Sequence, residues 1–118
     1  MPLFLYGTLL DPRVLARESG DPGLPRAMQP AVLAGFARVR FRGTLYPTLL
    51  RDQRGWVKGA LIRPSARALA ALRRYEGPCY HLIPVRVQTA RGPMRARAWA
   101  VPRHLAEAPA WRRRSGGH

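Results

Sequence analysis

The segment Leu69-Ala-Ala-Leu-Arg-Arg-Tyr-Glu-Gly-Pro78 sets the architecture that we expect for the whole chain. Leu69, Leu72 and Glu76 recur at i, i+3 and i+7, a spacing that places side chains on one face of an α-helix. The two leucines mark this face as the buried one. The segment therefore predicts a helix whose last turn points Glu76 inward.

The end of this helix gives Glu76 an unusual environment. Gly77 and Pro78 stop the helix directly after it, so its carboxylate lies near the unpaired carbonyls and the negative end of the helix dipole. Burial and the dipole both raise the pKa of a carboxyl, and a pKa near neutrality suits general acid–base catalysis. The alternative interpretation is structural, because helix ends often carry Glu and the side chain then lies only at the rim of the core.

The amino-terminal residues predict a strand, a glycine loop and a helix start in close succession. Leu3-Phe-Leu-Tyr6 is a short apolar run, which Gly7-Thr8 interrupts. Asp11 as N-cap and Pro12 at the first helical position predict a short helix over residues 13–18. Free N–H groups at such a junction bind anions, including carboxylates. The simpler alternative is that the glycine only makes a turn.

The middle of the chain alternates between strand and turn patterns. The patterns predict a loop over residues 19–30 and a strand over residues 32–42. A second apolar segment follows over residues 44–50, then a turn over residues 51–55 and a strand over residues 56–62. Pro47 makes the second apolar segment an edge strand or a tight connection. Gly59 predicts a bulge or a close approach of the backbone. Pro64 and Ser65 then open the helix that ends at Glu76.

The last third of the chain predicts a β-hairpin. Ile83, Val85 and Val87 alternate with other residues, which places them on one face of a strand. Every second residue from 94 to 100 is likewise apolar, beyond a turn at residues 90–93, so the two strands form a hairpin. A short final helix is expected over residues 103–111. The sum is an α+β fold, a mixed and mostly antiparallel sheet of five or six strands with two or three short helices. Strands of this length with glycine bends are compatible with a small, partly closed barrel.

Composition sets the domain count and raises one alternative function. A chain of 118 residues forms one domain, expected over residues 1–111, with a basic, disordered tail over residues 112–118. The net charge of +15 suits nucleic-acid binding, for which the candidates are Arg112 to Arg114 and the arginine face of Arg38 to Arg42. Basic residues are nevertheless spread along the whole chain, which favours solvated surface charge.

Cysteine and histidine usage disfavours several kinds of site. Cys79 is the single cysteine, so there is no internal disulfide and no thiolate cluster. It follows Pro78 in a turn, with His81 as its only nearby base, so nucleophilic catalysis is poorly supported. The histidines lack metal-ligand spacing, and we expect neither a metal nor an organic cofactor.

We expect no segment that targets or anchors the chain. It has neither a signal-peptide pattern nor an apolar run of the ~18 residues that a bilayer span needs. We therefore expect a cytoplasmic protein without a membrane partner. The sequence carries no signal for an oligomeric state.

Four short motifs follow one another over nearly the whole chain. They are Leu5-Tyr-Gly-Thr-Leu9, Leu45-Tyr-Pro47, the strand that contains Gly59, and Leu72-Arg-Arg-Tyr-Glu-Gly77 followed by Tyr80. In this order and spacing, the chain resembles the gamma-glutamylcyclotransferase-like superfamily, most closely its small members related to gamma-glutamylamine cyclotransferase. The resemblance implies a small mixed barrel flanked by helices.

The resemblance also implies a reaction and a set of site residues. The reaction is an intramolecular aminolysis that releases 5-oxoproline from a gamma-glutamyl amine or peptide, a cofactor-independent cyclisation by acyl transfer. The family's catalytic carboxylate falls on Glu76. Its substrate-binding loop falls on Tyr6, Gly7, Thr8 and Leu9, and further substrate contacts fall on Tyr46 and Tyr80, either of which could instead belong to the core.

Two positions depart from the family pattern. Arg73 stands where the family often has an acidic residue, and Trp99 stands on the last strand where a tyrosine often contributes to the pocket. These departures bear on the identity of the substrate. Two alternatives to the enzyme are a non-catalytic module of the same fold that binds a small ligand, and a basic nucleic-acid-binding protein.

Overall fold

The structure, a computed structural model, describes residues 1–108 and contains five strands and two α-helices. Their bounds are Leu3–Leu5 (β1), Pro12–Ser19 (α1), Gln29–Arg40 (β2), Pro47–Ile62 (β3), Ala66–Glu76 (α2), His81–Thr89 (β4) and Gly92–Ala100 (β5). The strands close into a barrel in the order β1-β3-β2-β4-β5. β1 and β5 are parallel and the other neighbours are antiparallel. The predicted α+β class and mostly antiparallel barrel are confirmed.

Both α-helices begin at the caps that the sequence predicts. The Asp11 carboxylate accepts a hydrogen bond from the Arg13 amide at 2.9 Å, and the Ser65 hydroxyl oxygen accepts one from the Ala68 amide at 3.1 Å. These bonds satisfy amides that the first turn of a helix leaves free. At the other end of α2, Gly77 adopts a φ of 89°, a conformation that favours glycine. Glu76 is therefore the last residue of the helix.

The core has two layers on either side of the barrel wall. Phe4, Leu33 and Val87 belong to the cluster that fills the barrel. Leu15 of α1 and Leu72 of α2 belong to a second cluster between the barrel and the helices. Because both leucines are fully buried, this second layer fixes the position of α2, and with it the position of Glu76.

Gly59 allows β1 to approach β3 closely. A Cβ atom at this position would lie 2.1 Å from the carbonyl oxygen of Leu5 and 2.7 Å from the Cζ atom of Phe4. No side chain fits at such distances. The close approach predicted from the sequence is confirmed, and it sets the end of β1 from which the next loop emerges.

The turn predicted at residues 51–55 is wrong, because β3 continues through these residues and pairs with β2 on both sides of them. Between the pairs Ala34–Trp56 and Phe36–Arg51 the register shifts, so several residues of β3 face a single residue of β2. Polar residues and a glycine suit a bulge as well as a turn. Long-range pairing with β2 decides between the two.

Three further boundaries differ from the sequence prediction. The loop at residues 19–30 contains a 3-10 turn at Leu24–Ala27, and β2 begins at Gln29 rather than near Val32. The final helix is shortened to a 3-10 turn at Arg103–Leu105. The chain after this turn is extended because it pairs with the end of β2.

The remaining predictions concern the ends of the chain. The basic tail at residues 112–118, including Arg112 to Arg114, lies outside the described residues, as does the end of the predicted final helix. Within residues 1–108, the helices are too short and too polar to cross a bilayer.

Candidate active site

A cleft of about 210 Å³ opens between one end of the barrel and the end of α2. It brings together every catalytic and substrate-binding residue that the family resemblance implies, from separate parts of the chain. The lining residues are Phe4, Leu5, Tyr6, Gly7, Thr8, Leu9, Tyr46, Pro47, Tyr75, Glu76, Tyr80 and Trp99. The structure thus places these residues around one cavity, and their roles in binding and catalysis stay predictions.

Glu76 is the single acidic side chain that lines the cleft. The buried Leu72 lies one turn earlier on α2 and holds this face of the helix against the barrel. Glu76 itself is partly buried, and burial raises the pKa of its carboxyl from the ordinary 4.5 to about 7, because a charged carboxylate loses solvation there. The carboxyl can therefore both accept and donate a proton near neutral pH.

The loop after β1 forms the wall of the cleft beside Glu76. Leu9 is buried among the apolar residues between the barrel and the helices, which anchors a 3-10 turn at Thr8–Leu10. The amides of Leu10 and Asp11 donate to the carbonyls of Gly7 and Thr8. The first amides of this turn have no acceptor within the turn itself, so they are candidate main-chain donors in a cleft that Glu76 also lines.

Tyr6 is buried at the inner end of the cleft. Its hydroxyl donates a hydrogen bond to the carbonyl oxygen of Trp99 on β5. Burial raises the pKa of the Tyr6 phenol, and the charges of Tyr80 and Glu76 raise it further. Tyr6 therefore stays neutral, and its hydroxyl ties the loop to the last strand.

Tyr80 and Tyr46 stand on the side of the cleft that faces β3. The Tyr80 hydroxyl donates to the Pro47 carbonyl at 2.7 Å, and its ring packs edge-on against Phe41 with centroids 5.9 Å apart. Burial, followed by the Glu76 charge, raises the pKa of the Tyr80 phenol to about 12. Tyr46 is different, because 60% of it is exposed at the rim.

The sequence reasoning missed Tyr75, whose hydroxyl lies 2.8 Å from the Thr8 hydroxyl. This contact joins α2 to the loop after β1 across the cleft. Tyr75 lies off the helix face defined by Leu69 and Leu72, so the apolar periodicity pointed away from it. Its place directly before Glu76 was the one signal available.

The two departures from the family pattern lie against each other. The Arg73 guanidinium carbon lies 5.4 Å from the centroid of the Trp99 ring, within the range of a cation–π contact. Trp99 is buried and lines the cleft. Arg73 thus packs against a wall of the cleft from the side of α2. The two residues lie far apart in the sequence, so sequence patterns do not predict this contact.

The chemistry available in the cleft is proton transfer. The raised pKa values of Tyr6 and Tyr80 keep these two phenols protonated, while the Glu76 carboxyl, with a pKa of about 7, exchanges its proton near neutral pH. Cys79 is exposed and does not line the cleft, so it is not placed as a nucleophile there. Among residues 1–108, no three or more His, Cys, Asp or Glu side chains cluster closely enough to hold a metal ion.

Comparisons with known proteins identify relatives of this chain. Residues 3–116 match the family described as gamma-glutamyl cyclotransferase, AIG2-like. The AIG2-like protein C of Arabidopsis thaliana is 39% identical over 61 residues, which cover 52% of this chain and 34% of that protein. The match therefore spans about a third of the length of this relative.

Solved structures show the same fold. An Arabidopsis thaliana protein determined in solution is 26% identical, with a TM-score of 0.72 over 98% of this chain and 73% of that one. A gamma-glutamyl cyclotransferase is 19% identical, with a TM-score of 0.73 over 90% of this chain and 68% of that one. The family model matches nearly the whole chain, and the solved structures share its fold. The chain belongs to the gamma-glutamyl cyclotransferase, AIG2-like family.

Proposed function

We propose that this protein is a cyclotransferase that releases 5-oxoproline from a gamma-glutamyl amine or peptide, with Glu76 as the general acid and base. One observation carries the proposal: Glu76, with its pKa raised to about 7, lines the same cleft as the loop from Tyr6 to Leu9. Membership of the family supports it, as does the activity named for the gamma-glutamyl cyclotransferase that shares this fold.

In the first step, the Glu76 carboxylate removes a proton from the α-ammonium of the substrate. The freed amine attacks the γ-carbonyl carbon, and a new C–N bond closes the five-membered ring. The reaction is intramolecular, so the cleft has to hold the substrate in a folded shape rather than supply a nucleophile. This demand fits a cleft whose lining offers one acid and several hydroxyl groups.

In the second step, the protonated Glu76 returns its proton to the leaving nitrogen as the original amide bond breaks. The ring nitrogen still carries one proton too many. Glu76 accepts this second proton and then donates it to the released amine. Two protons therefore move from the attacking to the leaving nitrogen, and Glu76 ends as it began. A pKa near 7 makes both directions of transfer accessible.

The main-chain amides of the loop from Gly7 to Leu9 are assigned to the anionic parts of the substrate. They bind the α-carboxylate or stabilise the oxyanion that develops on the γ-carbonyl. The wall formed by Tyr46 and Tyr80 contacts the remainder of the substrate. Support comes from the placement of all these groups around one cavity.

The test is to incubate the purified protein with a gamma-glutamyl alkylamide and a gamma-glutamyl dipeptide, and to quantify 5-oxoproline and free amine. The proposal predicts equal amounts of both products. The matched control is each substrate with an acetylated α-amine, which cannot attack and should give no product. Release of glutamate instead of 5-oxoproline, or turnover of the acetylated substrates, would contradict the cyclisation.

A further inference from the structure

A second cavity, of about 480 Å³, lies on another part of the barrel. It shares no lining residue with the candidate active site. Its size is within the range of sites that hold small molecules. The lining residues are Met1, Leu33, Ala34, Phe36, Arg51, Pro84, Val85, Arg86, Arg95 and Ala96. We call it the seam groove.

The seam groove exists because two neighbouring strands separate. β2 and β4 are paired only at Val32–Gln88 and Leu33–Val87. Beyond Leu33, the register of β2 against β3 shifts at a bulge, while β4 continues along β5. The groove opens between the diverging strands, so it is a consequence of the barrel's own topology.

The floor of the groove is apolar and its rim is cationic. Leu33, Phe36, Val85 and Ala96 are buried in the barrel interior. Three arginines line the groove, and no acidic residue does: Arg51, Arg86 and Arg95. The guanidinium carbon of Arg51 lies 5.2 Å from the centroid of the Phe36 ring, which brings a positive charge next to the apolar floor.

Arg86 and Arg95 stand directly opposite each other on the antiparallel strands β4 and β5. Directly paired residues point to the same face, and like charges in this position repel. Neither arginine forms an ion pair with another residue of the described part of the chain, unlike Arg13, which pairs with Asp11, and Arg17, which pairs with Glu18. An anion held between the two guanidinium groups would replace this repulsion by charge-assisted hydrogen bonds.

From this arrangement we infer that the seam groove binds a small amphiphilic anion, an apolar body that carries a phosphate or carboxylate group. The apolar body enters the gap between β2 and β4 toward Phe36 and Val85, which face the barrel interior. The charged group stays on the outer face between Arg86 and Arg95, since neighbouring residues of a strand point to opposite faces. Arginine favours such groups because its planar guanidinium donates two parallel hydrogen bonds to them. The inference does not depend on the proposed reaction, since Glu76 is not part of the groove.

The test uses octyl phosphate, kept monomeric, as the probe in titration calorimetry with the full chain. We expect saturable binding that is at least about tenfold tighter than the binding of inorganic phosphate or of octan-1-ol, because the groove engages both halves of the probe. Amide NMR shifts should concentrate on the residues that line the groove. Equal binding of inorganic phosphate or octan-1-ol, or shifts spread over all arginine-bearing surfaces, would overturn the inference.

Variants separate the groove from the general positive charge of the protein. Arg86→Gln and Arg95→Gln should each weaken octyl phosphate binding by about tenfold, the effect of losing a hydrogen bond to a charged group. The matched control is Arg91→Gln, an exposed arginine in the turn between the same two strands that does not line the groove. Its affinity should stay unchanged. A loss in Arg91→Gln as large as in the two groove variants would overturn the inference.

Two further variants guard against indirect effects. Ala34→Glu adds a carboxylate at an exposed position of the rim and should abolish binding while the thermal midpoint is retained. Glu76→Gln should bind octyl phosphate as the wild type does. Undiminished binding by Ala34→Glu would contradict the placement of the ligand, as would a loss of binding in Glu76→Gln.

Discussion

The hydroxyl of Thr8 lies 2.8 Å from the hydroxyl of Tyr75, and this contact closes one side of the cleft. Thr8 belongs to the loop after β1, whereas Tyr75 precedes Glu76 on α2. The bond therefore couples the main-chain donors of the loop to the helix that positions the carboxyl. In the proposed reaction, it holds both halves of the site at a fixed separation.

Loss of this contact should weaken substrate binding. Thr8→Val and Tyr75→Phe are each expected to raise KM for the best gamma-glutamyl substrate by about fivefold, since a side-chain hydrogen bond contributes about 1 kcal/mol. The double variant should be little worse than either single variant, because the two hydroxyls form one bond.

Steady-state kinetics on the wild type, Thr8→Val, Tyr75→Phe and the double variant measure the coupling energy between the two hydroxyl groups. Thr89→Val serves as the control, because its hydroxyl bonds to Gly92 in the turn between β4 and β5 and not in the cleft. Fully additive effects of Thr8→Val and Tyr75→Phe would show that the two residues act independently.

The raised pKa of Glu76 makes stability depend on pH in a defined direction. The pKa is about 7 in the folded protein and 4.5 when exposed, so between these values the folded state holds a proton that the unfolded chain has lost. Stability from this group is fully present below pH 4.5 and is lost as the pH rises through 7.

Urea unfolding from pH 4 to pH 8 tests this, with Glu76→Gln as the reference. The stability of Glu76→Gln relative to the wild type should increase from about pH 4.5 to about pH 7 and stay constant above it. The comparison cancels all other titrating groups. Parallel curves for the two proteins would mean that Glu76 titrates at an ordinary pKa.

The close approach of β1 and β3 should make Gly59 intolerant of any side chain. Gly59→Ala places a Cβ atom 2.1 Å from the Leu5 carbonyl oxygen, and relief requires the strands to separate. We expect a loss of roughly 2–4 kcal/mol in the free energy of unfolding. Gly23→Ala is the matched control, since its Cβ would have an ordinary contact at 3.5 Å. Similar unfolding midpoints for the two variants would contradict the crowding.

Sequence patterns located the elements that depend on local signals. Asp11 and Ser65 marked the helix starts through their capping groups, and the periodicity of Leu69 and Leu72 pointed Glu76 into the cleft. Local signals failed at residues 51–55, where a polar stretch with a glycine looked like a turn. Pairing with β2 on both sides makes it a bulge.

The parts of the site that escaped prediction depend on contacts between distant segments. Tyr75 meets Thr8, and Arg73 covers Trp99, only after the barrel has closed. No periodicity in either segment encodes such a pair. The seam groove is a similar case, because it arises from the divergence of β2 and β4 and not from a motif in either strand.

The central claim is that the Glu76 carboxyl transfers the protons of the cyclisation. The most direct test is the rate of 5-oxoproline release by the wild type and by Glu76→Gln, with Glu18→Gln, a surface carboxylate paired with Arg17, as the control. We predict that Glu76→Gln loses about 10²–10⁴-fold in kcat with an unchanged fold, while Glu18→Gln retains full activity. A folded Glu76→Gln protein that releases 5-oxoproline at the wild-type rate would contradict the account.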